Sequence, residues 1–233
     1  MIRRWHNTRT ETYILFMDNL EDLVYCQMRE LLGPLSIWPR LHGVDTKLIS
    51  SIIMIERQQY NLPQALRVFR RCFCTIQALI QKSKSKQQDG EKWQGLKGWI
   101  NNSRGFSRIK KETAFRALIL QPPDSPHYIS PAAVEQYSHD PDLSIRLTCL
   151  IIATHQRQWF NFAGELPPEI LATLYNISDF TNKPPHPNPR SGGSVLPAVI
   201  DGYYLENLNF GERVKKVYES RKMSDFVSKI KMF

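Results

Sequence analysis

The stretch VDTKLISSIIMIERQQY, residues 44–60, decides how the rest of the chain is read. Val44, Leu48, Ile49, Ile52, Ile53 and Ile55 leave almost no polar face, and Asp45 stands where an N-cap is expected. A helix apolar all round is a buried one, so the reading is a central helix over about 44–60. Glu56 closes the apolar run. A carboxylate there is expected to be partly desolvated, which disfavours its charged form and raises its pKa. That is the property needed to protonate a leaving oxygen. The plainer alternative is a solvent-facing Glu56 paired with Arg57 or a later Arg.

Helical spacing continues on both sides. Residues 11–32 place Ile14, Met17, Leu20, Val24, Met28 and Leu31 on one face, and Gly33-Pro34 is expected to end that helix before a loop with Trp38 and Pro39. Pro63 opens a helix over about 63–81, with Leu66, Val68, Phe69, Phe73, Ile76 and Ile80. Residues 82–98, KSKSKQQDGEKWQGLKG, read as an exposed loop. In 99–120 a loop gives way at Lys110 to a helix with Ala114, Ala117 and Leu118 on one face. Short helices follow over 131–138, 141–156 and 167–175, the first two opened by Ser130-Pro131 and Asp140-Pro141. Residues 181–198 are rich in Pro and Gly and read as irregular, a last helix starts near Gly211, and the basic tail reads as a frayed amphipathic helix. With no internal repeat and no strand pair read, the expected class is all-α or mostly α.

Composition sets the outer limits. The chain has 233 residues, 42% of them apolar and 23% charged, the balance of a globular protein and not of a disordered one. At this size roughly 70% of the unfolded-chain surface is buried on folding, so neither a disulfide nor a structural metal is needed. The net charge of +9 favours an anionic partner without choosing among nucleic acid, membrane surface and acidic polymer. Cys26, Cys72, Cys74 and Cys149 show no zinc-knuckle spacing and read as small hydrophobes or free thiols. On a helix Cys72 and Cys74 would point about 200° apart. His127 and His139, with Asp140 and Asp142 near, are a weak metal candidate, and PPHPNP (184–189) reads as a loop before a polyproline ligand.

Three later segments carry the functional signal. They are SRGFSRIKKETA (103–114), LATLYNIS (171–178) and GYYLENLNFGERVKKVY (202–218). With the apolar run ending in Glu56, this ordered set resembles the lysozyme-like superfamily, in particular soluble lytic transglycosylases and goose-type lysozymes. Members place a catalytic Glu at the end of an apolar helix, then a loop of the form S-x-G-x-x-Q-I/M-x-x-x-T-A, then a Tyr-Asn pair, then a final helix. Here Glu56 matches the acid, Ser103, Gly105, Ile109, Thr113 and Ala114 match the loop and its helix, and Tyr175 and Asn176 match the pair. The matches span about 44–218.

The resemblance implies a lysozyme-like helical domain with a glycan cleft over 44–218, preceded by a helical extension (1–43) and followed by a basic tail (219–233). It implies cleavage of peptidoglycan at the MurNAc–GlcNAc β-1,4 bond, with Glu56 as general acid and then general base. Ser103, Gly105 and Arg108 would line the cleft, and Tyr175, supported by Asn176, would orient Glu56. No cofactor and no metal are implied. The partners would be peptidoglycan glycan strands and, for a delivered effector, a cognate immunity or inhibitor protein. Two departures stand out. The family Gln falls at Arg108, and Arg57 follows Glu56 where Ser is common. A cation near Glu56 would lower its pKa and weaken it as an acid.

The N-terminus, MIRRWHNTRTETYILF, lacks the apolar core of a signal peptide, and the longest apolar stretch is far too short to span a bilayer. The expectation is synthesis in the cytoplasm and action on the cell wall, as an effector or a lysin. Two other readings remain: a catalytically silent relative that binds glycan or a protein, and a basic helical nucleic-acid binder. The second draws on Arg67, Arg70, Arg71, Lys82, Lys84 and Lys86, although no nucleic-acid motif is present.

Overall fold

The computed structural model describes residues 20–61, 103–104, 107, 109–121, 128–135, 140–177, 180 and 196–231. These residues are mostly helical. The expected helices over 63–81 and at 11–19, the loop over 82–98 and the basic cluster Arg67–Lys86 lie outside them.

Helix α1 covers 20–28 and buries Leu20, Val24 and Met28, one turn apart. A 3-10 turn (Arg29–Leu31) leads directly into α2 (Leu32–His42). Gly33-Pro34 therefore does not end the helical run, contrary to expectation. Pro34 lies in the first turn of α2, where the N–H it lacks has no acceptor within the helix. The helix ends instead at Gly43, whose left-handed backbone (φ 65°, ψ 34°) suits a residue without a Cβ. The Gly43 N–H donates to Arg40 O at 3.2 Å and Val44 N–H to Pro39 O at 2.9 Å, which closes the carbonyl end. Trp38, expected in a loop, is helical; its Nε1 donates to Asp142 Oδ1 at 2.7 Å and the Arg146 guanidinium lies 4.5 Å above its ring.

Helix α3 (Thr46–Asn61) is the centre of the structure. Asp45 caps it, its Oδ1 accepting from Lys47 N at 2.8 Å. Every residue from Leu48 to Glu56 is buried. The reason is packing on several sides at once, against α2 and the helices α5 (Pro141–Ala163), α6 (Pro168–Ile177), α7 (Phe210–Glu219) and α8 (Arg221–Ile230).

A short hairpin, β1 (Ser103–Arg104) with β2 (Ile109–Lys110), precedes α4 (Lys111–Ile119). Thr113, Ala114, Ala117 and Leu118 form the buried face of α4, which packs on α5. Beyond it, Gln121 and Ile129 join through two hydrogen bonds, and Pro131–Glu135 forms a 3-10 turn. Asp140 caps α5 by accepting from Asp142 N and Leu143 N, with Pro141 at the first helical position. Helix α5 outruns the expected 141–156 because Trp159, 2% exposed, extends its buried face.

Residues 196–198, the end of the stretch read as irregular, instead begin a second hairpin, β3 (Leu196–Ile200) with β4 (Tyr203–Leu208), where no strand pair was expected. Asp201 (φ 52°) and Gly202 (φ 77°) make its two-residue turn. Helix α7 opens with a capping box between Asn209 and Glu212. Helix α8 is not frayed. Met223, Phe226, Val227 and Ile230 make one buried face against α2, α3 and α7, and each contributes at most about 1.5–3 kcal/mol.

One charged knot ties the ends together. Glu21 in α1, 1% exposed, accepts from Asp201 N at 2.9 Å, Gly202 N at 3.2 Å and Lys222 Nζ at 2.9 Å. Asp201 in turn accepts from Arg221 N and Lys222 N at the start of α8. Burial works against the Lys222 charge, but hydrogen bonds to Glu21 and Asp22 overcome it and raise its pKa.

Candidate functional site

The candidate acid, Glu56, lies in α3 and is 6% exposed. The side chain is therefore turned away from solvent, as the end of the apolar run implied. Gln58 and Gln59 near it are also buried, so the polar end of α3 brings three buried hydrogen-bonding side chains into the interior, at 56, 58 and 59. Sequence reading had singled out only the first. Arg57, half-buried, turns its guanidinium to Gln27 in α1, with Nη2 to Oε1 at 2.8 Å.

Ser103 opens the hairpin, paired with Lys110, and Arg104 pairs with Ile109. The expected loop is thus a ribbon at its base. Gly105 and Arg108 lie outside the described residues. Ser107, between them in sequence, is completely buried. A hairpin turn ordinarily faces water; Ser107 is instead bonded to two helices. Its carbonyl accepts the Tyr175 hydroxyl from α6. Its N–H donates to Ser144 Oγ of α5 at 3.2 Å, and the two serine hydroxyls lie 3.4 Å apart. Ile109, Thr113 and Ala114, the other matches in this segment, are buried.

Tyr175 is 5% exposed and its ring stacks on Phe210 of α7, centroids 6.2 Å apart. Asn176 is half-buried at the end of α6. Helix α6 meets α7 unusually closely. A Cβ on Gly211 would fall 2.2 Å from Thr173 Oγ1 and 2.4 Å from Glu169 O. Lys215 and Glu169 bridge the same two helices at 2.8 Å, a contact that raises the Lys215 pKa. Helix α6 also packs on α3. The motif segments that are far apart in sequence, around 56, 107, 175 and 210, therefore belong to elements of one packed unit.

Ser107 and Ser144 were not singled out from the sequence. Ser107 lies inside a quoted motif but at a variable place in it. Ser144 had no signal at all, since only the folded chain brings it to a residue 37 positions away.

His127 and His139 lie outside the described residues, and among those described no group of three His, Cys, Asp or Glu could hold a metal ion. Cys26 is exposed and Cys149 is buried, with burial raising its thiol pKa; neither is in a disulfide. No described helix is long and apolar enough to cross a membrane. Comparison of the chain with protein-family models, with curated proteins and with solved structures gave no match.

Proposed function

We propose that the chain cleaves peptidoglycan glycan strands at the MurNAc–GlcNAc β-1,4 bond, in a lysozyme-like helical domain, as a lytic transglycosylase or a muramidase. The observation that carries this reading is the buried Glu56 on a helix packed against the one that bears Tyr175, whose hydroxyl grips the Ser103–Lys110 hairpin. A carboxyl group removed from water favours its protonated form and suits a general acid.

In this reading Glu56 gives its proton to the glycosidic oxygen as the bond to the anomeric carbon breaks. The resulting carboxylate then takes a proton from the attacking hydroxyl. If that is the muramyl 6-hydroxyl, a 1,6-anhydro end is left; if it is water, a reducing end forms. The hairpin, with Ser103, Gly105 and Arg108, would line the strand's path, and Asn176 would support Tyr175. The strands, met at the cell wall, are the partner, and the net charge of +9 suits an anionic polymer.

A second reading, a silent glycan- or protein-binding module of the same fold, is favoured by one observation: Arg108 stands where the family pattern has Gln. Digestion of purified sacculi by the wild-type chain and by Glu56→Gln, with products read by mass spectrometry, separates the two. Anhydro or reducing-end muropeptides from wild type alone support the enzyme. Binding to sacculi without release of fragments from either protein supports the silent module.

A further inference from the structure

The tip of the first hairpin poses a problem that its own strands do not solve. Among the described residues the ribbon pairs Ser103 with Lys110 and Arg104 with Ile109, and Ser107 has no strand partner there. Yet Ser107 is fully buried, and a buried peptide group must find its hydrogen bonds somewhere. Two side chains supply them. Tyr175 donates to its carbonyl from α6, and Ser144 accepts from its N–H at 3.2 Å from α5. Ser144 Oγ also lies 3.4 Å from Ser107 Oγ, so one hydroxyl serves both the backbone and the side chain of the tip.

We propose that Ser144 is a positioning residue for glycan cleavage: with Tyr175 it clamps the first hairpin at Ser107 and so fixes the ribbon that begins at Ser103. The inference rests on the glycan-cleavage reading of the site and extends it to a residue outside the family motif. Ser144 is itself fully buried in the first turns of α5, where Asp140 and Pro141 hold the helix start. Its hydroxyl is therefore fixed by a rigid element and not by a loop. Two anchors from two helices leave the tip little freedom to move; with one, it would pivot. A pivoting tip costs alignment of substrate before it costs folding. Ser144 touches no substrate in this account, and it acts only through Ser107.

The test uses the full chain as wild type, Ser144→Ala, Ser144→Thr and Tyr175→Phe. Two readouts are taken: amide hydrogen exchange at Ser107, and kcat and KM for release of soluble fragments from sacculi. Removing the acceptor leaves a buried N–H unsatisfied, so exchange at Ser107 in Ser144→Ala is expected to accelerate roughly 5- to 150-fold. The same variant is expected to lose about 10-fold or more in kcat/KM. Ser144→Thr keeps the hydroxyl and should recover much of both. Unchanged exchange at Ser107 in Ser144→Ala, with an active wild type, overturns the clamp. Faster exchange with unchanged kcat/KM overturns its positioning role. A wild type without turnover overturns the glycan-cleavage reading and the positioning role with it. The exchange result then still says whether the clamp exists.

Discussion

Replacing Gly211 with Ala tests how closely α6 and α7 are packed, and the structure sets the magnitude. The added Cβ would lie 2.4 Å from the Glu169 carbonyl oxygen and 2.2 Å from Thr173 Oγ1. The first is about 1 Å short of ordinary van der Waals contact. A rotating side chain could relieve the Thr173 contact. The carbonyl belongs to the α6 backbone, so relief there requires the helices to separate. Overpacking of this kind costs about 1–3 kcal/mol, and a backbone contact places it at the upper end. Alanine recovers up to about 1 kcal/mol through helix propensity. The net loss is therefore about 2 kcal/mol, or a fall in Tm of about 4–8 °C for a chain of this size. Differential scanning calorimetry measures it. Separation of α6 from α7 should also loosen the Tyr175 hydroxyl from Ser107, visible as faster exchange at the Ser107 amide. The double variant Gly211→Ala, Thr173→Ala should recover little, because the carbonyl remains. An unchanged or higher Tm for Gly211→Ala, or full recovery in the double variant, would refute the argument from the backbone contact.

Glu21→Ala leaves two turn N–H groups and the Lys222 ammonium without their shared carboxylate, and a loss of about 2–4 kcal/mol is expected in urea unfolding; a loss below about 0.5 kcal/mol would mean that the knot contributes nothing net. Tyr218 donates to Asp45 Oδ2 at 2.6 Å, and this hydrogen bond, with burial and the carboxylate's charge, pushes its pKa up to about 12. The neutral phenol is favoured in the folded chain, so this contribution is whole below about pH 10, where an unfolded tyrosine titrates, and is lost as pH rises towards 12. Burial also pushes the Tyr25 phenol up, so absorbance at 295 nm should show the late-titrating phase shrink by one tyrosine in Tyr218→Phe, and a titration unchanged by the substitution would contradict the assignment.

Local rules account for much of the helical frame. Asp45 caps a helix where a cap was expected, Asp140-Pro141 opens one where a start was read, and Ala114, Ala117 and Leu118 face the core as their spacing required. These features depend on neighbours within a turn or two, which sequence displays directly. The Asp201-Gly202 turn belongs to the same class. Asp-Gly between two strands is a strong hairpin signal that the sequence displays locally, beside a Pro- and Gly-rich run that reads as irregular chain. Gly33-Pro34 misleads. The pair reads as a stop, but in a first helical turn proline loses no hydrogen bond.

The apolar run of residues 48–55 by itself required a buried helix and left Glu56 at its end, so the candidate acid could be named without coordinates. Which way Glu56 faced was not decided there, because a carboxylate at the end of such a run can turn either way; the packing of α5, α6, α7 and α8 around α3 buried it. The same holds for the tail, whose apolar face became a folded helix only by docking on α2, α3 and α7. The meeting of Ser107, Ser144 and Tyr175 was beyond any local pattern. Sequence records the capacity of each group to donate or accept, whereas the partner is chosen by which helices are brought together to bury the core.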